Sequence, residues 1–469
     1  MALSFEQEPN GDSIKTPVAT NYTPIIPYTL YRDSSIASLF YYKLVLSVYT
    51  GTSEVAANIV AKFKQRRNNY SVDVAADKAR AIFNIRDIVN TQLKNTYYDS
   101  WDSTIPYNPI WELGSAVTTK VFSPNNSQLL EFYVKGYEEY SSISGDTPTE
   151  ETGDAVNDTK KYMSATIDLF RARGSDDFQD GPLEAFKLDS TSGRILTDVP
   201  TTPKPSKITN VLIPDNAKFI TVRVEDYHCI AFFNGVDDMG SDPMRVSVIW
   251  FSGTIGIEAN SYFNNDATAG GADPTTGTSL TTPKQLLYLG IGPRNLEEQT
   301  IQSSLKPSTN TTADGYIVTF WDNATSGGSQ ISEPLVFLID YGINAIGQTC
   351  EQYNVVRLGW INSLGCWDFY NFTMKSTQKI DIEREEWESL LGAYHTDMYK
   401  YSNVDRGKET KKTKAKMETI INTDWIYEEE VPLFESLLKS TEVYIVNAKG
   451  AYYPLHTQDK LPRENQDLL

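Results

Sequence analysis

His228 and Cys229 are neighbours in a strand-like run, and a histidine beside a thiol is the residue pair that activates a cysteine nucleophile. Adjacent residues on a strand point to opposite faces, so this pair fails on geometry. The other histidines, His395 and His456, have no partner one helical turn away, and a metal site would need tertiary convergence. Gly290-Ile291-Gly292 lacks the third glycine and the following helix that dinucleotide binding requires, and Pro293 would remove a phosphate-binding amide. It reads as a turn. Carboxylates for glycoside hydrolysis are abundant, but the sequence singles out no pair among them. Catalytic residues, metal ligands and cofactor-binding residues are therefore all read as none, and the chain as a non-enzyme.

A lysine run, RGKETKKTKAK, offers electrostatic chemistry instead. On a strand, Lys408, Lys412, Lys414 and Lys416 are expected to share one face, with Lys411 on the other. Such a face suits an acidic neighbour or another copy of this acidic protein; a solvated edge strand protected by its charge is the competing reading. The 42 Lys and Arg residues against 61 Asp and Glu leave a net charge of −19. That balance argues against nucleic acid as a partner.

With 469 residues, 40% of them hydrophobic, the chain can bury two to four cores of roughly 100 to 200 residues each. Cys229, Cys350 and Cys366 form no paired framework and show no C-x-x-C spacing, which fits folding in a reduced compartment. The N-terminal MALSFEQEPNGDSIK lacks the layout of a signal peptide, and no stretch approaches the roughly 20 apolar residues of a membrane span.

The elements expected to position these residues are mainly β: several β-sandwich (Ig-like) modules with few short helices. Residues 1–23 read as an arm that orders against a neighbour. Residues 24–137 read as an N-terminal sandwich, with Phe40, Tyr42, Leu44, Leu46 and Val48 alternating and Asn84 capping a short helix. Residues 138–216, rich in Asp, Glu, Ser, Thr, Gly and Pro, read as an acidic, loop-rich linker with one ordered piece near 162–170. Residues 217–345 read as a central β domain of antiparallel pairs, with 264–282 as an exposed loop tip. Residues 346–469 read as a β-rich domain with one helix near 428–438, whose Val431, Phe434 and Leu438 face its packing partner.

Two apolar runs flank Asn362-Ser363-Leu364-Gly365, the mark of a hairpin. This block resembles one in a family of tailed-bacteriophage virion proteins that carry R-L-x-W-x-N-x-x-G-G-x-D-x-Y-x-F, followed by a charged strand and Leu-Gly. Arg357, Leu358, Trp360, Asn362, Gly365, Asp368, Tyr370 and Phe372 fill the pattern, with Leu391-Gly392 downstream. Cys366 replaces the second glycine. Trp367 joins the signature, and both tryptophans are expected to be critical to the fold. SLFYYKLVLSVYTG, ARAIFNIRDIVNTQL, RILTDVP, YLGIGPRNLE, SEPLVFLID and TDWIYEEEVPLFESLLKSTEVYIV are similar to other segments of the family, in the same order.

The resemblance implies a structural protein of the virion, in the tail, baseplate or neck, assembled in the host cytoplasm with other virion proteins or fibres. It also implies a homo-oligomeric ring. A role in binding host glycan receptors, through the 264–282 loop and aromatics such as Tyr98 and Trp101, is the first alternative. A polysaccharide depolymerase is the second.

Overall fold

In a computed structural model, the strand Phe40–Thr50 buries Tyr42, Leu44, Leu46 and Val48 as its alternation predicts and pairs antiparallel with Ile59–Arg66 and with Leu129–Ser141. The half-buried reading is corrected at its edges: Phe40 is exposed, and Val45, Ser47 and Tyr49 are buried on the second face. The structure describes residues 3–9, 18–19, 26–66, 78–93, 122–124, 128–165, 186, 188, 193–206, 208–209, 213–234, 245–252, 257–264, 285–298, 306–308, 313–321, 328–341, 353–388, 392–400, 407–423, 425–446 and 452–454. Thr149–Met163 and Val18–Ala19 complete a five-stranded sheet. A second sheet, from Leu3–Gln7, Pro27–Arg32 and Ala79–Asn84, shares its core through Tyr28, Leu30, Phe83, Leu44, Phe132 and Tyr162. The two sheets make a sandwich-like module that reaches beyond residues 24–137, taking in Leu3–Gln7, Val18–Ala19 and Thr149–Met163. Asn84 Oδ1 accepts the Arg86 amide at 3.1 Å, satisfying one free N–H at the start of the helix Arg86–Gln92.

Two expectations for this region are corrected. The first residues are not an arm ordered by a neighbour, because Leu3–Gln7 pairs with Pro27–Arg32 and Phe5 packs edge-on against Tyr28 at 5.3 Å. Nor is the acidic stretch a loop: Thr149–Met163 runs antiparallel to Leu129–Ser141. Lys62 neutralises Glu150 at 2.5 Å, and Tyr28 donates to Asp158 Oδ2 at 2.7 Å. Polarity that reads as linker is thus the solvated side of a paired strand.

The central strands form a six-stranded sheet in the order Thr201–Pro203, Asn216–Arg223, Leu335–Asp340, Gly315–Trp321, Arg245–Phe251 and Ile257–Asn264. The expectation of antiparallel pairs holds for 245–251 with 257–264 and 315–321, and for 315–321 with 335–340. It fails for Asn216–Arg223 and Leu335–Asp340, which run parallel. These two strands are joined by a long crossover, which parallel pairing requires and a tight hairpin forbids. A three-stranded sheet, Cys229–Asn234, Gln285–Gly290 and Phe122–Pro124, lies beside it, with Phe232 and Phe320 ring centres 4.7 Å apart. The protein is mainly β, built of sandwich-like modules with few short helices. Among the described residues, no helix is long and apolar enough to cross a membrane.

The chain divides into two compact units. One comprises Met1–Tyr341, Leu358–Tyr370 and Tyr427–Leu469, the other Gly342–Arg357 and Asn371–Ile426. Within the first, Leu129, Met163, Ala231, Tyr288, Leu364 and Trp367 lie in one core. That core cuts across the boundaries read from composition. The second unit carries the antiparallel ribbon Thr377–Glu388 with Lys408–Ile420 and a small hairpin, Ala393–His395 with Met398–Lys400.

Candidate functional site

The strands Val356–Ile361 and Trp367–Phe372 flank the turn that the sequence marks. The Gly365 amide donates to the Asn362 carbonyl at 3.0 Å, and the Asn362 amide to the Cys366 carbonyl at 2.7 Å. Asn362 Oδ1 accepts the amides of Leu364 and Cys366 at 3.0 and 2.9 Å. Gly365 is required twice over: its φ is +77°, and a Cβ there would sit 2.0 Å from the Ser164 carbonyl oxygen. Cys366 is not among the residues with positive φ, so its side chain costs the turn nothing. Burial pushes its thiol well above the ordinary range.

Asp368 ties this turn to residues far earlier in the chain. Its Oδ1 accepts the Thr197 hydroxyl at 2.6 Å, and its Oδ2 accepts the Asp198 amide at 2.8 Å and Asn362 Nδ2 at 3.0 Å. Asp198 in turn accepts the amide and hydroxyl of Ser363 at 2.7 and 2.6 Å. Burial first, and the Asp198 charge second, push the Asp368 carboxyl up to about 7 despite these three donors. Two neighbouring carboxylates suggest acid–base chemistry, yet both residues are buried, and their oxygens are taken up by the backbone and side chains they hold. The arrangement fastens the turn to the 196–198 segment. It does not present a carboxylate to a substrate.

The remaining signature residues are also structural. Trp360 is buried and its indole N–H donates to Ser436 Oγ at 3.0 Å; Trp367 is buried with its ring 5.6 Å from that of Tyr444. Tyr370 meets Phe434 edge-on at 4.9 Å, Phe372 is buried, and Arg357 Nη1 donates to Asn371 Oδ1 at 3.0 Å. The contacts to Ser436 and Phe434 fix the rotation of the helix Val431–Lys439, which buries Leu433, Ser436 and Leu437. Of the face expected to pack, Phe434 meets Tyr370 and Leu438 is half-buried, while Val431 is corrected to the outside at 41% exposed.

His228 is buried between the rings of Phe337 and Phe369, with centres 5.3 and 5.0 Å away, and Cys229 is buried in the neighbouring core. A short helix, Pro293–Glu298, does follow Gly290-Ile291-Gly292, contrary to the sequence reading. The amides ahead of it are already engaged: Ile291 and Gly292 donate to the His228 carbonyl, and Asn295 Oδ1 accepts from Gly292 and His228. Sequence reasoning missed Thr197, Asp198, Asn295 and Ser436. The signal for Ser436 was a hydroxyl on the apolar side of a helix. Among the described residues, no group of three or more His, Cys, Asp or Glu side chains is placed to hold a metal.

The lysines lie on the exposed strand Lys408–Ile420. Glu385 stands opposite Lys412 and Glu386 opposite Thr410, so Lys411 is the extra residue of a bulge. Lys412, Lys414 and Lys416 share a face, opposite Glu385, Glu383 and Asp381 respectively. Lys408 is corrected to the other face, because the bulge shifts the alternation by one residue. Tyr98, Trp101, Cys350, Leu391, Arg406, His456 and residues 265–282 lie outside the described residues, as does the side chain of His395.

Comparison with models of known protein families found no match, and comparison with curated proteins found none either.

Proposed function

We propose that this chain is a non-enzymatic structural protein of a tailed-phage virion, placed in the tail, baseplate or neck, where repeated copies dock on other virion proteins or fibres. The observation that carries this reading is the clamp. RILTDVP, the aromatic block and TDWIYEEEVPLFESLLK, each similar to a segment of the virion family and in the same order, meet through Asp368–Thr197, Ser363–Asp198 and Trp360–Ser436. Residues of separate segments that satisfy one another's buried polar groups depend on one another as parts of one fold. A scaffold of this kind acts through its surfaces.

A host glycan-binding role is the second reading, favoured by Trp425, 99% exposed, and Trp387, 49% exposed. Exposed aromatic faces stack on sugars. The test is a cryo-EM reconstruction of the particle with the chain traced in density. Copies bonded to tail, neck or fibre proteins support the structural reading. Free projection at the distal end, with binding on a glycan array, supports the second, and absence from particles overturns both.

A further inference from the structure

The ribbon Thr377–Glu388 with Lys408–Ile420 is a two-stranded sheet, and among the described residues neither strand pairs with any other. Each therefore keeps one long edge, about 40 Å at the usual rise per residue, that bonds to no other described strand. The two edges differ in sign. Thr377–Glu388 carries two cations against five carboxylates, and Lys408–Ile420 carries five lysines against two glutamates.

Inside the ribbon the pattern is complementary across the strands: Lys379 faces Glu418, Asp381 faces Lys416, Glu383 faces Lys414 and Glu385 faces Lys412. The opposite face carries an exposed apolar stripe, in which Ile380, 60% exposed, stands opposite Met417, 65% exposed, and Ile382 opposite Ala415. A two-stranded ribbon with one side of its apolar stripe in water is marginal by itself. Further strands laid alongside would lengthen the stripe into a face that can be buried.

We infer that the chain associates with second copies of itself head to tail through this ribbon, the acidic edge strand Thr377–Glu388 of one copy pairing with the basic edge strand Lys408–Ile420 of the next. Pairing two like edges would set lysines against lysines or carboxylates against carboxylates, which opposes the symmetric alternative. Acidic edge against basic edge repeats the register already present within each ribbon. Such a contact is heterologous, so it propagates into a closed ring or an open filament. The inference deepens the assembly reading and rests on it for the expectation that many copies meet; the surface itself stands on the ribbon's register and charge.

The test uses the full-length chain. Sedimentation velocity over a micromolar concentration series is expected to show association that grows with concentration at low salt and weakens at high salt. Reversing Lys412→Glu, Lys414→Glu and Lys416→Glu together is expected to weaken it roughly tenfold or more. Adding Asp381→Lys, Glu383→Lys and Glu385→Lys restores complementarity within the ribbon and between identical copies. This fully reversed chain is expected to associate with itself as the original does. An original chain that stays monomeric throughout overturns the inference, as does a fully reversed chain that folds and stays monomeric. Should a reversed chain fail to fold, the concentration and salt series on the original chain still decides. A monomer that is nonetheless present in particles removes this contact and leaves the virion reading standing; self-association of a chain absent from particles does the reverse.

Discussion

Two antiparallel strand pairs stand within one hundred residues of each other and share almost nothing but their backbone pattern. The pair Val356–Ile361 with Trp367–Phe372 is buried nearly throughout, while Thr377–Glu388 with Lys408–Ile420 is exposed nearly throughout. In the first, each polar side chain near the turn has a fixed partner: Asn362 holds its own loop, and Asp368 holds Thr197 and the Asp198 amide. In the second, ion pairs such as Lys379–Asp381 and Lys416–Glu418 form along a strand in water, where they stabilise little. The same local geometry is sealed into a core in one place and left in water in the other. The difference lies in burial, since an unsatisfied polar group costs free energy only where water cannot reach it.

If this contrast holds, substitutions should fall off steeply from hairpin to ribbon. The largest loss is expected for Trp367→Ala and Trp360→Ala, each costing about 3–5 kcal/mol in chemical denaturation. Melting close to that of the original chain for both would end the comparison. Asp368→Ala should follow at about 3 kcal/mol, because it strands the Thr197 hydroxyl, the Asp198 amide and Asn362 Nδ2 in a buried site.

The same carboxyl sharpens the comparison through pH. Its pKa is raised in the folded chain, so the folded chain holds a proton that the unfolded chain releases. The contribution is complete below the ordinary value of 3.8 and is lost as pH rises through about 7. Melting temperatures of the original chain and of Asp368→Asn, measured side by side from pH 4 to 8, should show this decline in the original and not in the variant. Gly365→Ala is expected to cost about 2 kcal/mol or more, from positive φ and the approach of the Ser164 carbonyl. At the far end, Ile380→Ser or Lys414→Ala, measured in dilute monomer, should shift the melting temperature by less than about 2 °C. A shift as large as that of Asp368→Ala would mean that the ribbon is buried after all.

The clamp was only half legible in advance. Asn362, Gly365 and Asp368 stand out because a tight turn selects their types within a few residues. Thr197 and Asp198 carry no such local mark, because they meet Asp368 across 171 and 170 positions of chain. The same limit explains Thr149–Met163. Its composition resembles a linker because the residues that partner its charges and backbone, among them Lys62, Tyr28 and the strand Leu129–Ser141, come from other elements.

What the sequence determined by itself is whatever depends on neighbours along the chain: the alternation of Phe40–Thr50, the turn at Asn362–Gly365 and the opposite charges of the two ribbon strands. Period-two patterning and turn chemistry are written within ten residues or so. The tertiary structure alone decided which carboxylate is sealed, which strands run parallel, which side of the last helix is buried and where the bulge at Lys411 sends Lys408. Each of these depends on groups distant in sequence that compete for the same buried space, a competition that no local pattern records.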